Sequence, residues 1–147
     1  ADGTPPKLVF IATGEAGDEE MASRIARHQA DRGPRWQTLE TPLELSRTIR
    51  EAAKPGTVII VDCLTLWLSN LMHAECDIDH KCAEFLQTLA ECSGSIILIS
   101  NEAGLGIVPE NALARAFRDH AGRLHQNIAA LADRVCFIVA GLAMSLK

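Results

Sequence analysis

Apolar residues in this chain gather in short continuous runs, separated by stretches in which they recur every three or four positions. The runs Lys7–Ala12, Thr57–Asp62, Ser95–Ser100 and Arg134–Ala140 predict buried parallel strands, because a strand covered on both faces does not alternate. A shorter strand is expected at Trp36–Glu40. Between the runs the period is helical. Asp18, Glu19 and Glu20 place acids at the start of one helix, whose face carries Met21, Ile25 and His28. Thr41, Pro42 and Glu44 have the spacing of a capping box ahead of the next helix, which Pro55-Gly56 closes. Leu64–Met72 and Lys81–Cys92 also read as helices, joined by a polar, less ordered link through Asp77 and Asp79. In the last helix Leu113, Phe117, Leu124, Ile128 and Leu131 form one stripe, while Arg115, Arg118, Asp119 and Arg123 occupy other faces. Alternation of this kind predicts an α/β fold of three layers around a mostly parallel sheet.

Composition narrows the class without changing the fold. The 147 residues are the length of one ordinary domain, and 48% hydrophobic against 22% charged residues describe a globular chain. The net charge of −5 and the mixing of acids and bases give no basic stripe, so nucleic acid is not an expected partner. The apolar runs are too short to span a bilayer, and Ala1–Lys7 has no signal-peptide core, so no membrane partner is expected either. The 5 cysteines follow no C-x-x-C spacing, which predicts free thiols and a cytoplasmic location.

A parallel sheet binds ligands beyond the carboxyl ends of its strands. That edge is predicted to carry Ala12, Thr13 and Gly14, then Glu40, Asp62, and Ser100-Asn101-Glu102. Small residues at Ala12-Thr13-Gly14 would let a base or ribose approach the backbone; an ordinary strand-to-helix turn is the plainer reading. Glu40 would accept hydrogen bonds from a sugar or base edge, or simply precede a helix cap. Asp62 follows Val58-Ile59-Ile60-Val61 in the Walker-B manner, an acid placed to hold magnesium on a nucleotide; the alternative is a carboxylate capping the helix at Leu64. His28 has two readings as well. A neutral imidazole attacks phosphorus and forms a reactive phosphoramidate, whereas a histidine at the end of a helix face also serves as packing. Arg24, Arg27, Arg32 and Arg35 lie near it in sequence, either as partners for phosphate oxygens or as a solvated surface.

Five pieces in order carry a resemblance: IATG-x(3)-DEEM-x(2)-RI-x(2)-H, the segment Trp36 to Pro42, VDCLTLWLSN, SNE-x-G-x-GIVPE and R-x-FRD-x-AGR. They resemble the bifunctional adenosylcobinamide kinase/adenosylcobinamide-phosphate guanylyltransferases of cobalamin biosynthesis, from about Lys7 to Lys147. The resemblance implies a RecA-like P-loop NTPase fold and a homotrimer. It implies phosphorylation of adenosylcobinamide, then transfer of GMP from GTP through a histidine to adenosylcobinamide phosphate, with GTP and ATP as substrates and Mg2+ as cofactor. The histidine is His28 by this match. Gln29, Ala30, Asp31 and Arg32, with Ala12, Thr13, Gly14, Glu40 and Asp62, fall at nucleotide-contact positions, and Asp62 is the metal position.

The family's opening strand, G-x-x-x-x-G-K-S loop and helix have no counterpart in the sequence. Such a unit is about 25 residues long at typical element lengths. The expectation is therefore a single transferase domain over residues 1–147, N-terminally incomplete, since real loss of a central strand would bare its neighbours' edges. The competing function is a non-catalytic nucleotide- or corrinoid-binding module that lacks the phosphate loop.

Overall fold

The computed structural model describes residues 5–14 and 33–147. The chain divides into two units, Ala1–Glu102 and Ala103–Lys147. The helix expected around Met21, Ile25 and His28 lies outside the described residues.

In the first unit the order is β1 (Lys7–Ala12), β2 (Trp36–Glu40), α1 (Leu45–Ala52), β3 (Thr57–Asp62), α2 (Leu64–His73), α3 (Ile78–Glu91) and β4 (Ser95–Ile99). The strands form one parallel sheet in the order β2-β1-β3-β4. The α/β class and the parallel sheet are as the apolar runs predict, and β1, β2 and β3 have the predicted bounds. Register divides the side chains between two faces, since neighbours paired in a parallel sheet project to the same side. Val9 pairs with Ile59 and Ile11 with Val61, and all four are fully buried. Leu8, Phe10 and Ala12 pair with Val58, Ile60 and Asp62 on the opposite face.

The helices supply the rest of the core: Leu45 and Ile49 from α1, Leu64, Trp67, Leu68 and Leu71 from α2, and Phe85 from α3. The rings of Trp67 and Phe85 meet in a tilted arrangement with centroids 5.0 Å apart. Burying each such side chain is worth about 1.5–3 kcal/mol. The indole N–H of Trp67 donates to the Leu43 carbonyl at 2.9 Å, so the buried polar atom is satisfied. Polar contacts clasp α1 to α3. Arg50 donates to Thr88 Oγ1 at 2.8 Å and pairs with Glu84, while Lys81 pairs with Glu44 at 2.8 Å. The hydrogen bond from Arg50 holds the Glu84 carboxyl below the usual carboxylate range, and that to Glu44 raises the Lys81 ammonium. Gly94 closes the turn into β4 at φ +110°, where an added Cβ would come within 2.9 Å of the Lys54 carbonyl oxygen.

Three local expectations are corrected. The capping box fails: the residue before α1 is Glu44, without a side-chain cap. Thr41 instead extends the ladder, donating its N–H to the Ala12 carbonyl at 2.8 Å, and its hydroxyl pairs with that of Thr48 at 3.1 Å. The supposed loose link at Asp77 is an N-cap, with the carboxylate accepting from His80 N at 3.0 Å, and α3 begins at Ile78.

The third correction concerns the second unit, which holds α4 (Ala112–Leu131), β5 (Cys136–Val139) and β6 (Leu142–Ser145). The run Arg134–Ala140 is not a buried parallel strand. Its residues Cys136–Val139 pair antiparallel with β6 in a separate two-stranded sheet, and Ile138 and Val139 are exposed. Ala140 and Gly141 take φ of 50° and 75°, the primed geometry of a two-residue hairpin. On α4, Asn111 caps the first turn by accepting from Leu113 N and Ala114 N. Of the predicted stripe only Leu124 is fully buried; Leu113 and Leu131 are exposed. Among the described residues no helix is long and apolar enough to cross a membrane, and all five cysteines are free.

Candidate active site at the carboxyl edge of the sheet

Four strands run the same way, so their carboxyl ends form one edge. Ala12 is level with Glu40 on one side and Asp62 on the other, and Asp62 is level with Ile99. The register therefore puts the side chains of Ala12, Glu40 and Asp62 on one face. Glu40 is exposed, and Asp62 and Ala12 are half-buried. Among the described residues the Asp62 carboxylate makes no hydrogen bond or ion pair. It is not the cap of α2 either: that place belongs to Cys63, which makes no side-chain cap hydrogen bond. The Asp62–Cys63 peptide is cis.

Thr13 behaves differently from its neighbours. It is 0% exposed, and its hydroxyl accepts from Cys63 N at 2.8 Å and donates to the Cys63 carbonyl at 2.7 Å. Its N–H donates to the Asp62 carbonyl at 3.1 Å. The Thr13 side chain thus joins the end of β1 to the turn between β3 and α2. Gly14 is half-buried, and a Cβ there would make ordinary contact with Leu66 at 3.5 Å.

Further residues of α2 brace the edge, and the sequence reading assigned them no role. Asn70 Nδ2 donates to the Thr13 carbonyl at 2.7 Å and the Pro42 carbonyl at 3.2 Å, binding together the segments that leave β1 and β2. Thr65 accepts from Asn101 Nδ2 at 3.0 Å and lies 3.1 Å from Cys63 Sγ, which holds the segment after β4 against the start of α2. The only signal was their place in VDCLTLWLSN, where a polar residue interrupts an apolar run. Ser100 and Glu102 flank Asn101, and both have interaction partners.

His28, Gln29, Ala30, Asp31 and Arg32 lie outside the described residues. Among the described residues no three histidine, cysteine or acidic side chains converge as a metal-ion site. The edge is thus an acidic rim, Asp62 and Glu40, on a rigid frame of backbone hydrogen bonds. Such a rim suits hydroxyl donors and cation-bridged phosphates.

Residues 1–146 match the family model described as cobinamide kinase / cobinamide phosphate guanyltransferase. The chain belongs to that family. It is 51% identical over 142 residues to the bifunctional adenosylcobalamin biosynthesis protein CobP of Pseudomonas aeruginosa, covering 94% of this chain and 81% of that protein. It is 36% identical to the CobU protein of Salmonella typhimurium and 32% identical to that of Escherichia coli, each over 160 residues, 99% of this chain and 88% of the relative. For a cobinamide kinase / cobinamide phosphate guanyltransferase family member, an acid-rimmed parallel edge is a fitting place for nucleotide chemistry.

Proposed function

We propose that this chain phosphorylates adenosylcobinamide and then transfers GMP from GTP, through a guanylylated His28, to adenosylcobinamide phosphate. The products are pyrophosphate and adenosylcobinamide-GDP. The family match over residues 1–146 carries this reading. In our reading the chain acts as a single transferase domain of the RecA-like P-loop class, and the parallel sheet with its acidic strand ends supports that. ATP and GTP serve as substrates. The resemblance of the motifs to the family supports a homotrimer, and the free cysteines support a reducing cytoplasm.

The nucleotide would lie over Ala12, Thr13 and Gly14, with Glu40 toward its sugar or base, and the family resemblance adds Gln29 to Arg32 as nucleotide-contact positions. Thr13 acts by fixing this edge, its hydroxyl held by Cys63, its N–H by the Asp62 carbonyl and its carbonyl by Asn70. Asp62 fits magnesium, being a carboxylate at a strand end with no protein partner among the described residues; magnesium, when bound, neutralises phosphate oxygens. His28 attacks the α-phosphorus of GTP through a neutral ring nitrogen, the bond to pyrophosphate breaks, and the ring proton is released. The P–N bond keeps GMP activated until the phosphate of adenosylcobinamide phosphate displaces the imidazole. Both steps are in-line displacements, so positioning and charge neutralisation dominate.

Intact mass after incubation with GTP and magnesium tests this, with His28→Ala alongside. An acid-labile GMP adduct on the wild type and not on the variant is the expected result. Cobinamide phosphorylation with an unmodified His28 would leave a plain kinase; reversible nucleotide retention alone would leave a binding module.

A further inference from the structure

Within the second unit, α4 and the loop before it border a shallow, solvent-open cavity of about 440 Å³, lined among the described residues by Gly104, Arg118, Asp119, Gly122, Arg123 and Gln126. Positions 118, 122 and 126 lie four apart, and 119 and 123 form the adjoining row, so the helix presents them side by side. The cavity carries two guanidinium groups against one carboxylate. Arg118 is half-buried, and its contact with Asp119, at 3.7 Å, is too long for a hydrogen bond. Its donors therefore lack a protein acceptor among the described residues. Arg123 Nη2 lies 2.9 Å from His120 Nδ1; a guanidinium has no acceptor, so the arginine donates and stays anchored at the rim.

Gly122 is the telling residue. Glycine in the middle of a helix weakens it relative to alanine. Among the described residues no packing demands it, because an added Cβ would meet none of their atoms within 4 Å. The space above Gly122 is the cavity itself. A helix backbone left bare beneath two arginines and a glutamine is a cradle that a methyl group would partly fill.

We propose that this cavity binds the phosphate group of a phosphorylated substrate, with Arg118 and Arg123 as charge partners and Gly122 as the floor against which the phosphate rests. The planar guanidinium fork matches phosphate oxygens in a way that a point charge does not. Two sources carry that chemistry in the reaction proposed above, on which the choice of ligands rests: the nucleotide and the phosphorylated corrinoid.

The test is isothermal titration of the full chain with GTP and, separately, with adenosylcobinamide phosphate, for wild type, Gly122→Ala, Arg118→Gln and Arg123→Gln. Gly122→Ala is expected to raise the melting temperature, so weaker binding by it cannot be ascribed to misfolding. Affinity for one of the two ligands should fall by about tenfold or more in each variant, the scale of one charge-assisted hydrogen bond. Loss confined to GTP assigns the cavity to the nucleotide; loss confined to adenosylcobinamide phosphate assigns it to the corrinoid. Retention of both affinities within about twofold in all three variants, or failure of wild type to bind either ligand, overturns the proposal. Its fate is separate from that of the covalent carrier: binding lost in these variants with no GMP adduct on His28 would keep the cavity and remove the guanylyl transfer.

Discussion

The hydroxyl of Thr13 occupies both backbone groups of Cys63 at once, taking its N–H at 2.8 Å and giving a proton to its carbonyl at 2.7 Å. One buried side chain thereby stands in for two rungs of a sheet where β3 has already turned into α2. Replacing Thr13 by valine, which keeps the shape, leaves the buried Cys63 N–H unpaired, while the Cys63 carbonyl keeps the Trp67 N–H at 3.1 Å, and should cost about 1–3 kcal/mol. Thr13→Ser should stay within about 1.5 kcal/mol of wild type, because only a methyl group is lost. Urea denaturation of the two variants gives the comparison, and equal losses would mean the hydroxyl is not what holds the turn.

Asp62 stands at the same turn but with its carboxylate unengaged among the described residues. Asp62→Asn should leave the melting temperature within a few degrees of wild type while raising the magnesium concentration for half-maximal activity by roughly 10–100-fold. A magnesium titration of the kinase step reads this directly. An unchanged midpoint would remove Asp62 from the metal position.

Gly94 is required by geometry. At φ +110°, with the Lys54 and Thr57 carbonyl oxygens 2.9 and 3.0 Å from where a Cβ would sit, Gly94→Ala must move backbone that sets the start of β3 and β4. A loss of about 2–3 kcal/mol is expected. Gly56, also at positive φ but with no described atom in the way, should lose only the strain of that backbone conformation, about 1 kcal/mol. Paired thermal melts of Gly94→Ala and Gly56→Ala would show the difference.

The clasp between α1 and α3 should be pH-dependent. Glu84 has its folded pKa lowered by the Arg50 hydrogen bond, so its contribution is present above the unfolded carboxylate value, about 4.3, and disappears as the pH falls through the folded value. Arg50 and Glu84 are 48% and 28% exposed at the side chain, which limits the ion pair to about 0.5–1 kcal/mol. The stability gap between wild type and Arg50→Ala should therefore be widest near neutrality and narrow below about pH 4. A remainder belongs to the Arg50–Thr88 hydrogen bond, which does not titrate. Denaturation midpoints at pH 7 and pH 3.5 would expose a gap that fails to narrow.

Much of the sheet was legible because burial on both faces leaves an unbroken apolar run, and Lys7–Ala12 and Thr57–Asp62 have no competing reading. The same signal misled at Arg134–Ala140. A continuous run does not say which strand it pairs with, and the Ala140-Gly141 turn lacks the asparagine or aspartate that advertises a hairpin. At Thr41 a local motif lost to a long-range bond, since its N–H completes the pairing with Ala12 before any helix begins. The positions of Ala12, Glu40 and Asp62 at one edge followed from strand order alone. Their sharing a face, and the separation of Thr13 from them, depended on register and on a hydroxyl reaching Cys63, fifty positions away. No periodicity encodes that. Likewise, Asn70 and Thr65 are polar interruptions in an apolar helix until the carbonyls and amide they meet are known.

The shared register at Ala12 has a consequence for how this edge can change. Ala12 is aligned with Glu40 and Asp62 at once, so adding or removing one residue within β1 would turn its remaining side chains over and carry the edge out of step with both neighbours. Exchanging side chains at 12, 40 or 62 disturbs neither alignment. New specificities are therefore reached here by swapping letters at fixed length, and a library built on insertions in these strands would mostly return unfolded chains.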